Sequence, residues 1–88
     1  EVRAALATIA EEETQHAALS WDIAAWADSR LCEHEREMVA AARAGALSRL
    51  AADLRTPPEP RVEEIAGMPA SDVALAMLER LQPILLAA

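Results

Sequence analysis

The feature that most constrains this chain is a stripe of residues that recur at alternating steps of four and three over its first third. The stripe comprises Val2, Leu6, Ile9, Glu13, His16, Ser20, Ile23 and Ala27. Because such steps return to the same side of an α-helix, all eight side chains share one helix face, called here the seam. The sequence therefore predicts a helix over residues 2–27, roughly 40 Å long, that buries this face against other helices.

The seam is apolar at both ends and polar in its middle, where Glu13 and His16 lie. A carboxylate on a core-facing seam costs several kcal/mol unless it is paired, hydrogen-bonded or bound to a metal. Glutamate and histidine one helical turn apart offer a carboxylate oxygen and an imidazole nitrogen to one ion, as in the metal sites of helical bundles. Glu13 and His16 are therefore candidate metal ligands, and a simple hydrogen bond between their side chains is the alternative.

The residues around this pair form a longer pattern, which comprises Glu12, Glu13, His16, Ala17, Leu19, Ser20, Trp21 and Trp26. This pattern resembles the last metal-binding helix of bacterial ferritin-like proteins. Members of that group carry an acidic residue, Glu-x-x-His-Ala, then Leu-Ala-Trp and a second Trp. Ser20 replaces the usual Ala and leaves both ligands in place. The resemblance covers about the first third of the chain.

This resemblance implies an all-α fold, a ferritin-like four-helix bundle that holds two metal ions, typically iron. Two helices of such a bundle each give a Glu, and the other two each give a Glu-x-x-His pair. The implied function is oxygen- or peroxide-dependent oxidation, as an oxidoreductase, or iron storage. Only Glu13 and His16 have matches here, and no catalytic residue is assigned. Since position 1 is not Met, we expect these 88 residues to be the C-terminal portion of a longer bacterial protein.

Two other classes of function stay open. In the first, the chain is a noncatalytic helical interaction domain whose Glu13 and His16 form only an internal hydrogen bond. In the second, the chain forms a homodimer that assembles a metal site from two Glu-His pairs across a two-fold axis. The expected partner is accordingly either the missing N-terminal helices of a longer chain or a second copy of this one.

The charge of the chain excludes other classes of partner. The net charge is -7, so no basic patch exists to neutralise the phosphates of nucleic acid or of an anionic membrane. No apolar run approaches the ~18 residues of a membrane span, and no signal peptide is visible. We expect a cytoplasmic protein. If these residues are part of a longer protein, a targeting segment would lie outside them. Cys32 is the only cysteine, which excludes a disulfide within one chain.

The second predicted helix spans residues 30–54, with Asp28 and Ser29 as candidate N-caps. A short turn makes it an antiparallel neighbour of the first helix, so residues 1–54 form a predicted hairpin domain. In that hairpin Glu37 lies roughly 12 Å along the axis from the level of Glu13, and the second helix adds no ligand. Gly45 indicates a close helix approach or a local weakness. The predicted inner face of this second helix comprises Leu31, Met38, Val39, Ala42, Leu47, Leu50, Ala51 and Leu54.

The remaining third of the chain begins with a proline-rich linker over residues 55–61. A short helical turn over residues 61–66 should end at Gly67. A last amphipathic helix over residues 72–82 follows, with Ser71 as its cap and Pro83 bending or ending it. An apolar tail, residues 84–86, should dock on the outside of the bundle. Residues 62–88 therefore form a predicted C-terminal helical extension.

Overall fold

A computed structural model describes residues 1–87 as four α-helices joined by short connections. Helix α1 spans Val2–Asp28, α2 Glu33–Leu54, α3 Pro60–Ala66 and α4 Ser71–Ala87. Helices account for 84% of the structure, and no strand occurs among residues 1–87. The predicted all-α class is confirmed.

The chain divides into two compact units, Glu1–Arg36 and Glu37–Ala88. The first contains α1 and the turn that leads into α2, and the second contains most of α2 together with α3 and α4. The antiparallel hairpin of residues 1–54, the linker at 55–61 and the extension at 62–88 stay predictions. Residue 88, the last of that extension, lies outside the described residues.

Helix α1 owes its length to its composition. Alanine, the residue with the highest helix propensity, recurs through it. Its hydroxyl side chains are satisfied inside the helix, because each donates to the carbonyl four residues earlier. These bonds run from Thr8 to Ala4, Thr14 to Ala10 and Ser20 to His16. No residue of α1 is buried, and every seam residue except the half-buried Ala27 is exposed in this chain, although the seam was predicted to face a core.

The turn after α1 differs from the prediction. Asp28 and Ser29 do not cap α2, because Asp28 ends α1 and Ser29 is the C-cap of that helix. The Ser29 hydroxyl donates to the Trp26 carbonyl at 2.6 Å. Helix α2 starts at Glu33 instead of residue 30, and Glu35 accepts a hydrogen bond from the Cys32 backbone N–H at 2.8 Å. This is one half of a capping box, with Cys in the position usually held by Ser or Thr.

Arg36 supplies the positive charge that the end of α1 lacks. No basic residue lies in the last turn of α1, although the partial negative charge of a helix C-terminus favours one there. The Arg36 Nε donates to the Asp28 carbonyl at 3.1 Å and lies 3.7 Å from the Asp28 carboxylate. The Arg30 guanidinium lies 4.8 Å from the centre of a Trp26 ring. These contacts fix the turn between α1 and α2.

The second unit contains the buried residues of the described chain, Ala74 and Leu78 of α4, which are 5% and 8% exposed. On α2, the half-buried Leu47, Ala51 and Leu54 lie at steps of four and three and therefore on one face. The prediction of an inner face is thus correct for these three residues. It is wrong for Met38, Val39, Ala42 and Leu50, which are exposed in this chain.

The last two helices confirm one predicted helix boundary, the end of α3, and correct two others, the N-cap and the end of α4. Gly67 ends α3 in the left-handed conformation, with φ of 69°, as predicted. Ser71 does not cap α4: the carbonyl of Ala70 accepts the first helical hydrogen bond, from the Ala74 N–H at 2.9 Å. Helix α4 also continues through Pro83 to Ala87, so the predicted end near residue 82 is wrong, and the alternative, that Pro83 bends the helix, stays a prediction. Leu85, half-buried and seven residues after Leu78, continues the inner face beyond the proline.

Gly45 is half-buried, and the nearest neighbour on its Cβ side is a side chain of its own helix. A Cβ atom at this position would meet only the Arg49 guanidinium, at 3.4 Å, which is ordinary van der Waals contact. No helix approaches Gly45 closely within the described chain, so the second predicted reason for this glycine, a local weakness in α2, is the one that fits.

Candidate functional site

The structure brings Glu13 and His16 together in the middle of α1. The Oε1 atom of Glu13 lies 3.3 Å from the Nδ1 atom of His16, which is slightly long for a hydrogen bond. Both side chains are 68% exposed. The pair therefore exists as predicted, one turn apart on one face, but in this chain it faces open space and not a core.

The spacing of the two atoms suits a shared cation. Ligand atoms about 2.1 Å from one ion, at angles between tetrahedral and right-angled, are separated by about 3.0–3.4 Å. The observed 3.3 Å lies in that range. Residues 1–87 nevertheless contain no group of three or more His, Cys, Asp or Glu side chains that could hold a metal ion. Glu13 and His16 are therefore two candidate ligands without a third among the described residues.

Ser20, the seam residue that follows this pair, already makes a hydrogen bond within its own helix. Ser20 donates its hydroxyl proton to the His16 carbonyl at 2.8 Å. A hydroxyl that is hydrogen-bonded within its own helix needs no further partner when another helix covers it. Ser20 can therefore be buried at little cost, although it departs from the Ala that the ferritin-like pattern has at this position.

The acidic residues at the start of α2 form a solvated surface. Glu33, Glu35 and Glu37 are all exposed. The hydrogen bond from the Cys32 backbone N–H holds the pKa of Glu35 below its ordinary value. That carboxylate therefore stabilises the start of α2. Its role was missed in the sequence, although the three-residue spacing from Cys32 to Glu35 is the signal of a capping box.

A second candidate site lies in the second unit, between the end of α2 and the start of α4. It is a hollow of about 220 Å³ lined mainly by apolar groups: Asp53, Leu54, Thr56, Pro58, Met68, Pro69, Ser71 and Ala74. The Ser71 hydroxyl oxygen is buried there without a hydrogen-bond partner. No spacing in the sequence indicated this hollow, because its walls come from two separate segments, residues 53–58 and 68–74.

Comparisons with known proteins do not extend these observations. No family model matches the sequence, and neither the curated proteins nor the solved structures give a match. The ferritin-like resemblance therefore depends on the residues between positions 12 and 26 alone. None of the four described helices has both the length and the apolar character that crossing a membrane requires.

Proposed function

We propose that this chain contributes half of a metal site to a helical bundle, with Glu13 giving a carboxylate oxygen and His16 an imidazole nitrogen. The observation that supports this proposal is the 3.3 Å separation of these two atoms on a helix that has no buried residue. The other ligands would come from helices that cover the seam, either N-terminal helices of a longer chain or a second copy. By the resemblance, the bundle is ferritin-like and the metal is iron.

A helix that packs on the seam would also favour metal binding between Glu13 and His16. Ile9 and Ile23, on either side of the pair, are 51% and 54% exposed. Burying the exposed half of each gains about 1 kcal/mol or slightly more, which favours a covering helix. The same helix would remove water from Glu13 and His16, and a dehydrated carboxylate requires a positive partner. A bound cation meets that requirement.

Iron ions held in such a bundle would supply the electrons for oxygen- or peroxide-dependent oxidation, or would be the stored material. The chain's own residues have simpler tasks. The Glu13 carboxylate neutralises part of the charge of the ion, and His16 binds through the lone pair of a ring nitrogen. Because protons compete with metal at both groups, affinity should fall in acid.

An anaerobic calorimetric titration of the purified chain with Fe²⁺ tests the proposal. We expect saturable binding that weakens at least tenfold in Glu13→Gln and in His16→Gln, because each variant removes one ligand. Glu11→Gln is the matched control, since Glu11 lies on the opposite face of α1 and its loss should leave the affinity unchanged. Equal affinities for the original chain and the Glu13→Gln/His16→Gln double variant would refute the proposal.

A noncatalytic helical interaction module is the second candidate function. The contact between His16 and Glu13 favours it, because each side chain already has a polar neighbour in its own helix. This candidate predicts no metal above background and an unchanged melting temperature for Glu13→Ala. An exposed side-chain contact of this kind contributes at most about 0.5 kcal/mol, so the two candidates differ chiefly in their response to Fe²⁺.

A further inference from the structure

The seam of α1 is complementary to itself when its direction is reversed. Two antiparallel copies whose two-fold axis crosses between positions 14 and 15 bring together seam residues whose numbers add to 29. The resulting layers are Val2 with Ala27, Leu6 with Ile23, Ile9 with Ser20, and Glu13 with His16. Every seam residue has a counterpart, and none is left over.

We propose that a second copy of this chain covers the seam in this antiparallel register. The proposal deepens the proposed function and rests on it in one respect, that Glu13 and His16 act together at the seam. The surface that the second copy would cover is exposed in the single chain. The apolar seam residues Val2, Leu6, Ile9 and Ile23 are 41–54% exposed.

Charge favours this register over the parallel one. In the antiparallel pair, Glu13 lies opposite His16 of the partner subunit in both central layers, so each carboxylate gains a second imidazole neighbour. In a parallel pair, the same carboxylate would lie opposite Glu13 of the partner subunit, and like charges that face each other are destabilising. The two Glu-His pairs would also meet in adjacent layers, which gives four ligands where one chain has two.

The outer layers are compatible in size and polarity. Two of the pairs combine a branched apolar side chain with a small one, namely Val2 with Ala27 and Ile9 with Ser20. Such alternation of large and small lets helices approach each other closely. The Ser20 hydroxyl opposite Ile9 needs no polar neighbour from the partner, because it already donates to the His16 carbonyl.

The area of the contact predicts its strength. A helix of 27 residues is roughly 40 Å long and 10–12 Å wide. Two such helices would bury on the order of 500 Å² each, or about 1,000 Å² in total, which is near the lower limit for a specific interface. We therefore expect a dissociation constant in the micromolar range without metal.

Disulfide cross-linking tests the register directly. Ile9→Cys and Ser20→Cys are made separately in a Cys32→Ser background and mixed at equal concentration in the presence of a chelator. Oxidised glutathione is added to oxidise the two thiols to a disulfide. Positions 9 and 20 are opposite each other only in the antiparallel register. We expect a cross-linked heterodimer in the mixture and no cross-linked homodimer of either variant alone, since like positions are about 16 Å apart along the axis. Homodimers of Ile9→Cys, or no cross-link at all, would overturn the proposal.

Sedimentation equilibrium of charge variants, in the same chelator, tests the central layers. His16→Glu places carboxylates opposite each other and should weaken self-association at least tenfold. The reciprocal double variant Glu13→His/His16→Glu restores opposite partners and should return to within about threefold of the original affinity. Gln15→Glu adds the same charge off the seam and is the matched control. A chain that stays monomeric at 500 µM, or a His16→Glu variant that dimerises as strongly as the control, would contradict the proposal.

The two proposals fail in different ways. Because cross-linking and sedimentation are carried out without metal, they do not depend on Fe²⁺ binding. Dimerisation in this register without any Fe²⁺ binding would refute the metal site alone. Binding of one Fe²⁺ per monomeric chain would refute the second copy alone.

Discussion

The two units of this molecule use similar apolar patterns with different results. In the second unit, α4 buries Ala74 and Leu78, and the second half of α2 has a half-buried face at helical spacing. In the first unit, α1 has an eight-residue seam and buries nothing. The second unit buries part of its own apolar surface, whereas the seam of α1 has polar residues at its centre, and we propose that a second copy covers it. An amphipathic pattern therefore predicts that a face will be covered, but not by what.

The largest expected difference between the two units is in the free energy of unfolding that is lost when a large apolar side chain is removed. Leu78→Ala should lower the free energy of unfolding by about 2–3 kcal/mol, because it leaves a cavity in a small core. Ile9→Ala should change it by less than about 0.5 kcal/mol at concentrations where the chain is monomeric, because Ile9 is half exposed and alanine favours helix. Urea unfolding followed by circular dichroism at 5 µM measures both values. Equal losses would show that α1 is covered within a single chain.

The turns of the two units provide a smaller test. Gly67→Ala should destabilise the second unit by about 1 kcal/mol, because alanine at positive φ is strained. Nothing lies within 4 Å of a Cβ built at Gly67, so the cost comes from the backbone conformation alone. Gly67→Asn is the control, since asparagine tolerates this conformation better than alanine. A stability unchanged in Gly67→Ala would mean that α3 does not end there in the left-handed conformation.

The smallest effect is expected at the start of α2. The pKa of Glu35 is lower in the folded chain than in the unfolded one, so its charged form stabilises the fold above the unfolded pKa. That contribution is lost as the pH falls through the folded pKa, in the range below about 4.3. Glu35→Gln should lose less helical circular dichroism than the original chain between pH 5 and pH 2. Glu33→Gln, in the same first turn, should behave like the original chain; identical curves for all three proteins would exclude the capping bond.

Local chemistry was predictable from the sequence where it depends on nearby residues. The all-α class, the start of α1, the end of α3 at Gly67 and the proximity of Glu13 to His16 all follow from helix periodicity and the conformational preference of glycine. The start of α2 and the end of α4 were mistaken, because Cys32 holds the N-cap position of α2 and because Leu85 continues an inner face beyond Pro83; the end of α2 at Leu54 was predicted correctly. The surroundings of the Glu-His pair were not predictable, since no local pattern specifies which surface covers a seam.

Hydrogen exchange of backbone amides as a function of protein concentration tests the central claim most directly. At 5 µM, we expect amides near Leu78 in α4 to be protected and those between Ile9 and Ser20 in α1 to exchange much faster. At 500 µM, protection of the α1 amides should rise, while that of α4 stays constant. Strong protection of α1 at 5 µM, equal to that of α4, would contradict the claim that the Glu13–His16 seam is completed from outside the single chain.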